Sequence, residues 1–396
     1  MRRTTKGLIA NPVMILALVY FFSNLHSFFI LISGREIFID TLIRGFDDSV
    51  VYAAGIALLV SFSLLLLLYK TCATFFGCKQ ELLFSNHWGW VLVLLQCMFL
   101  ASNIFYGVNL AGAEDIGAGS PFKIFFNVFQ PDLLYLLIVV GLVSNRLFWL
   151  NSIVFASSMA LRGWMGGFLI LAILYLCRNY PLKIDGRLFL LFVLLLFFGV
   201  LVFPFLVELK WILRADLSSR DVWTNVVDRG YLQSLGDSLT YLLNRFQMFG
   251  HVALIAENSD EVANAYDGNE FIPYWADGLV QWVVLKMNNI QIFQLNRYMV
   301  NSFFDSENLA YSTNPGVAGW LLFLHEKSFV FLGYICFVVL FPAFCVFKYA
   351  GFKYFLLIFS FVFIYLFHGW FGAYLNLVIY MILILLLKAI FAGKVA

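Results

Sequence analysis

Apolar runs long enough to cross a bilayer recur along nearly all of the 396 residues of this chain. A helix of about twenty apolar residues spans the hydrocarbon core of a membrane. In that medium backbone N–H and C=O groups are satisfied only within helices or closed barrels. A barrel would show short segments of alternating polarity, and these runs are continuous. The expected fold class is therefore all-α, a polytopic membrane protein. Composition agrees: 12% of the residues are charged, against about a quarter in soluble domains.

Hydropathy predicts ten spans, at about 12–32, 50–69, 88–107, 131–144, 147–161, 164–177, 188–207, 328–347, 352–367 and 371–391. The basic start MRRTTKG precedes the first run with no small-residue cleavage site, so that run reads as an uncleaved helix. One long polar stretch interrupts the series. The chain thus divides into an N-terminal transmembrane bundle (1–208), a loop domain (209–315) and a C-terminal bundle (316–396).

Charge gives the orientation. The segments assigned to one side carry Arg2, Arg3, Lys6, Lys70, Lys79, Arg146, Arg178, Lys183, Arg187, Lys348, Lys353, Lys388 and Lys394, opposed only by Glu81 and Asp185. Basic short loops lie in the cytoplasm, which puts both termini inside and the large loop outside. In a bacterium this is the inner membrane, with the loop in the periplasm. The net charge of +2 divides by side of the membrane and implies no nucleic-acid partner. No cysteine pair has zinc-ligand or CxxC spacing, so neither a disulfide framework nor a metal site is expected.

Three features carry chemistry. LRGWMGG (Leu161–Gly167) sits at the tip of the tight pair 147–161 and 164–177. An arginine costs about 2.5–3.5 kcal/mol or more at a membrane helix centre, so Arg162 is expected either to have an anionic partner or to snorkel to the headgroups, and the neighbouring glycines allow a ligand close to the backbone. Second, Ser234–Glu257 has helical periodicity, with Asp237, Tyr241, Asn244, Met248 and His251 on one face and Arg245 at its border. One amphipathic helix would lie on the membrane surface and aim Tyr241, Arg245 and His251 at one site. Its bland counterpart is an interfacial helix whose polar side meets only water. Third, the loop favours arginine: Arg214, Arg220, Arg229, Arg245 and Arg297 stand beside only Lys210 and Lys286. The guanidinium fork suits bidentate contact with phosphate. The loop also holds twelve acids, including Asp216, Asp221 and Asp228, so single arginines have acidic neighbours to pair with. After the loop, NPGVAGWLLFLH is apolar but short. It reads either as a half-helix entering the outer leaflet under protein cover or as the start of one long tilted helix. P-loop, GxSxG, HExxH, EF-hand and DxD-like sequences are missing, which favours a substrate already activated on a lipid.

In their order, LRGWMGG, NRFQMF, the aromatic FIPYW and NPGVAGWLLFLHEKSFVFLGY resemble the Wzy-type oligosaccharide repeat-unit polymerases of O-antigen and capsule assembly. The resemblance covers about 130–345; FIPYW has Tyr274 where the family has arginine. It implies a GT-C-like, metal-independent glycosyltransferase that needs no cofactor. Donor and acceptor would be glycans on undecaprenyl diphosphate, with the bilayer and a chain-length regulator as further partners. Catalytic candidates are Arg162 and Arg245 at the diphosphate, with His251, Glu257 or Glu270 as general base. Arg220, Arg229, Tyr241, Tyr274 and Arg297 are candidates for substrate binding. The O-antigen ligase shares this architecture, a lipid-linked oligosaccharide flippase or other transporter is a second alternative, and a membrane O-acyltransferase a third.

Overall fold

The computed structural model describes residues 8–39, 42–75, 81–109, 121–164, 166–214, 222–288, 293–304 and 313–392. Among them the protein is all-α apart from two short β-ribbons. Six helices are long and apolar enough to cross a membrane: Pro12–Ile32, Asp48–Phe75, Asn86–Tyr106, Gly186–Leu209, His325–Tyr349 and Phe371–Ile390.

Strand β1 (Leu8–Ala10) leads into α1 (Pro12–Ile32), which starts on a proline, where a missing N–H costs no bond. A hairpin of β2 (Ile37–Ile39) and β3 (Leu42–Arg44) precedes α2 (Asp48–Phe75) and α3 (Asn86–Tyr106). Gly107, at φ +61°, closes α3 with its N–H on Asn103 O. Four shorter helices follow: α4 (Lys123–Val128), α5 (Pro131–Val139), α6 (Asn145–Leu161) and α7 (Gly167–Arg178). Strand β4 (Leu182–Ile184) then gives way to α8 (Gly186–Arg214). Between residues 188 and 207 helix α8 is apolar all round, and Phe189, Leu196 and Phe198 are exposed along it, the pattern of a helix whose neighbours are lipid chains.

The polar segment folds into α9 (Val222–Asp228), α10 (Tyr231–Phe246), α11 (Phe249–Glu257), α12 (Ser259–Asp267), α13 (Leu279–Met287) and α14 (Leu295–Phe303). Beyond it come α15 (Gly316–Phe323), α16 (Ser328–Tyr349), α17 (Phe352–Phe361), a π-helical turn at Val362–Phe367 and α18 (Phe371–Ala392).

The chain forms two compact units. One comprises Met1–Pro12 and Leu83–Leu243, the other Val13–Leu82 and Asn244–Ala396. Their boundary runs through the polar segment rather than along its edges. In the first unit α3, α5 and α6 pack together around buried amides. Gln96 donates to Asn151 Oδ1 (2.9 Å), and Asn151 donates to Leu147 O and Gly89 O. Tyr135 shares a hydrogen bond with Ser152 (2.8 Å). Between apolar helices such bonds replace the water these groups would otherwise require.

The second unit is built on α2, which packs against both α11 and α15. The β2–β3 hairpin lies on α11, and Gly250 makes that possible: a Cβ there would sit 2.6 Å from Ile39 Cγ1. Helix α15 is nearly all buried. Its first residue, Gly316 (φ +67°), meets Gly369 (φ +86°) so closely that a Cβ on Gly369 would fall 3.0 Å from Gly316 Cα. Helix α15 is separated from α16 by a turn at His325–Lys327. Of the two readings of NPGVAGWLLFLH, the short separate helix under protein cover is the one found.

The single amphipathic helix expected across 234–257 is not. The chain breaks at Gln247 and Met248, between α10 and α11. Asn24 of α1 causes the break: its Oδ1 accepts from Met248 N (2.8 Å) and its Nδ2 donates to Phe246 O (3.3 Å). Gln247 Oε1 accepts from Gly250 N (3.1 Å), so the freed end groups of both helices keep partners. Residues Phe249–Ile255 are all buried, and α11 is a core helix rather than an interfacial one.

Within each unit, contacts tie particular loops to one another. In the first, β1 pairs antiparallel with β4, Phe84 N donates to Gly141 O (2.9 Å), and Arg178 donates to Val139 O and Asn145 Oδ1. In the second, Leu82 N donates to Ala350 O (2.8 Å), Gln247 to Phe38 O (3.3 Å), and Lys327 to Asp267 (2.6 Å).

Candidate functional site

Arg162 is the buried one among the described arginine candidates. It ends α6, is 5% exposed, and is paired with Asp132 at the start of α5. Nη2 donates to both carboxylate oxygens, at 2.8 and 3.1 Å, and Nε donates to Ser158 O at 3.2 Å. The guanidinium carbon lies 5.0 Å from the Phe99 ring centroid, a cation–π contact. Nη1 has no protein partner among the described residues. Half of the fork is thus fixed and half is open. Asp132 was readable in the sequence as an acid inside the apolar run 131–144, a signal the motif search passed over. Ser102 Oγ and Ser158 Oγ, one on α3 and one on α6, are buried without a partner among the described residues.

Two further candidates of the first unit sit on the loop. Arg229 is exposed and faces Glu208 at 3.6 Å, while Glu208 also accepts from Asn225 (2.7 Å). That arginine is committed to a local pair, as its acidic neighbourhood led one to expect. Tyr241 is half-buried on α10. Arg220 lies outside the described residues.

The remaining candidates belong to the second unit. Arg245 is exposed in the last turn of α10, where a cation suits the helix C-terminus. His251 is buried in α11 rather than displayed on a surface helix. It therefore shares neither helix nor face with Tyr241 and Arg245, contrary to the sequence expectation. Glu257, at the end of α11, is held by Arg44 of the hairpin at 2.9 Å. Glu270 follows α12, is exposed, and makes no ion pair among the described residues. Its charge and that of Glu261 reach Tyr298. Arg297 is exposed on α14, with no side-chain bond among the described residues.

Tyr274 is buried, contacting Trp320 (5.4 Å), Phe331 (4.7 Å) and Tyr334 (5.0 Å) by its ring. Burial pushes up the phenols of Tyr274, Tyr266 and Tyr298, the last two with added pressure from nearby carboxylates. At neutral pH all three are hydrogen-bond donors rather than bases. Tyr274 is thus a packing residue with a neutral hydroxyl.

Three residues further on, sequence reasoning missed Asp277. Its Oδ2 accepts from Gly372 N (2.8 Å), at the start of α18, and its Oδ1 from Gln294 Nε2 (2.8 Å). Asn376 Oδ1 accepts from Leu279 N (2.8 Å). The FIPYWADG segment is therefore fastened to the first turns of α18. An acid directly before a glycine in an aromatic run was the available signal.

No protein-family model, curated protein or solved structure matches the chain.

Proposed function

We propose that this protein is a bacterial inner-membrane glycosyltransferase that polymerises undecaprenyl-diphosphate-linked oligosaccharide repeat units on the periplasmic face. The observation that carries the reading is the half-engaged Arg162. A buried guanidinium is expensive and is retained where an anion uses it. Asp132 occupies one amino group and fixes the fork's direction, and the other amino group has no partner among the described residues. That is the equipment for a diphosphate leaving group. In the reaction an acceptor hydroxyl oxygen attacks the anomeric carbon of the donor glycan. The carbon–oxygen bond to the diphosphate breaks, and the hydroxyl proton passes to a carboxylate. Charge grows on the diphosphate as that bond breaks, so a preoriented cation favours the transition state over the resting substrate. Of the three candidate bases, Glu257 is held by Arg44 and His251 is buried in α11, whereas Glu270 is exposed and makes no ion pair among the described residues.

The ten-span arrangement with both termini inside belongs to the same reading, and parity supports it. Segments that touch outside the hydrocarbon lie on one side of the membrane, so an even number of crossings separates them. Only α3 among the long helices lies between Phe84 and Gly141, so the α4–α5 region supplies a second crossing. The Arg178–Asn145 contact makes α6 and α7 a pair that starts and ends on one side, as two crossings would. From Lys327, held to Asp267, to Gly372, held to Asp277, α16 needs α17 to bring the chain back.

Deleting the gene tests the function. The polymerase reading expects lipid A–core that carries a single repeat unit instead of a ladder of long chains. Lipid A–core without any repeat unit, together with accumulated lipid-linked polymer, would make the protein a ligase. An unchanged ladder would remove both.

A further inference from the structure

We propose that Trp275, Asp277 and Trp370, with the side-chain amides of Gln281 and Asn376, form a subsite for one neutral pyranose of the acceptor glycan. The identity of the ligand rests on the polymerase reading above; the chemistry of the subsite rests on what surrounds the Asp277–Gly372 hydrogen bond. Trp275 and Trp370 each lie two residues from one end of that bond, and they are 54% and 40% exposed. The aromatic cluster of Tyr274, Trp320, Phe331 and Phe371 is made without either indole, and Trp370 packs on His368 (5.2 Å) and Tyr365 (6.0 Å). An exposed indole next to hydrogen-bonding groups offers a flat apolar face to the C–H side of a sugar ring.

The polar groups are acceptors in search of hydroxyl donors. Each Asp277 oxygen takes one protein hydrogen bond and retains capacity for another. Gln281 Oε1 is shielded from bulk water and has no partner among the described residues, an arrangement costly to keep unless a ligand completes it. Gly278, at φ +128°, has no side chain and so lets Gln281 and Asn376 close in on the backbone beside Asp277. A Cβ there would stand 2.7 Å from Gln281 Oε1 and 3.7 Å from Asn376 Oδ1. Among the described residues no Lys or Arg hydrogen-bonds or pairs with Asp277, so the group favours a neutral polyol over a phosphate. It is thereby distinguished from Arg162, which has the chemistry for the diphosphate.

Aromatic residues also gather at membrane interfaces without binding anything, and the test separates the two roles. The probe is the free oligosaccharide released by mild acid from the lipid carrier of cells deleted for this protein. It carries no diphosphate. It is titrated against the full chain in detergent, with saturation-transfer NMR as the readout. Wild-type protein should transfer magnetisation from its aromatic protons to the C–H protons of one sugar residue. Trp275→Ala, Trp370→Ala and Asp277→Asn should each weaken binding roughly tenfold or more, whereas Arg162→Lys should bind like wild type. Trp275→Phe, which keeps a ring, serves if the alanine variant does not fold. Deleted cells that yield no lipid-linked oligosaccharide would overturn the polymerase reading and this proposal with it. Lipid-linked oligosaccharide that the wild-type protein does not bind, or that the tryptophan variants bind unchanged, would overturn the subsite and leave the polymerase standing.

Discussion

Replacing Arg162 by alanine takes away the partner of the Asp132 carboxyl, and breaking a buried pair costs up to about 3–5 kcal/mol, less where one member is 28% exposed as Asp132 is. Membrane abundance should fall for that reason alone, so loss of activity in Arg162→Ala says nothing about chemistry. Arg162→Lys is the informative variant. An ammonium can still reach Asp132, but it cannot hold Ser158 O and present an open second amino group as well. We expect normal abundance with polymer formation reduced roughly 30- to 1,000-fold, the effect of losing one preorganised donor. Near-normal polymer at matched abundance would reduce Arg162 to a structural ion pair. An anion beside Arg162 was legible in the sequence as one of two solutions, the other being a snorkelling side chain, because hydropathy alone makes a lone arginine there costly. Its identity was not, since Asp132 is thirty residues away and only helix packing brings it close.

At the scale of elements, helical periodicity located α10 and α11 but joined them, because a periodic pattern contains no information about the Asn24 amide that ends one and starts the other. His251 was misplaced as a direct result. The β2–β3 hairpin was equally invisible: its strands are three residues long, and its partner on α11 is distant in sequence. Gly250 is the point where the two elements meet, and it makes their contact testable. Gly250→Val would drive side-chain atoms into Ile39 and Ile37, with an overpacking cost of about 1–3 kcal/mol. Lifting the hairpin would also break the Arg44–Glu257 and Gln247–Phe38 contacts. Trypsin should then cut at Arg44 faster in the variant than in the wild type, and the purified protein should melt earlier. Equal cleavage rates would mean that the hairpin does not depend on this contact.

For the whole molecule, hydropathy and charge gave the class of fold and an orientation, because membrane thickness and the basic-inside bias act on composition rather than on contacts. They could not say which short apolar helices cross. Helix α6 has 17 residues and α7 has 12, about 25 Å and 18 Å at 1.5 Å per residue, against a hydrocarbon core of about 30 Å. Parity requires only that they act as a pair; a hairpin entering from the cytoplasmic side and turning back would satisfy it too. The proposed function is stricter, since Arg162 can meet a periplasmic diphosphate only if the tip reaches the outer face. Trp164, two residues from Arg162 and 50% exposed, reports on that tip. With the native cysteines removed, Trp164→Cys should react with a membrane-impermeant maleimide in intact spheroplasts. Alkaline phosphatase fused after Asn258 should be active, and after Asp185 inactive. Labelling confined to inside-out vesicles would turn the hairpin towards the cytoplasm. Arg162 would then sit on the wrong side of the membrane for the reaction, however well its abundance and its ion pair survived.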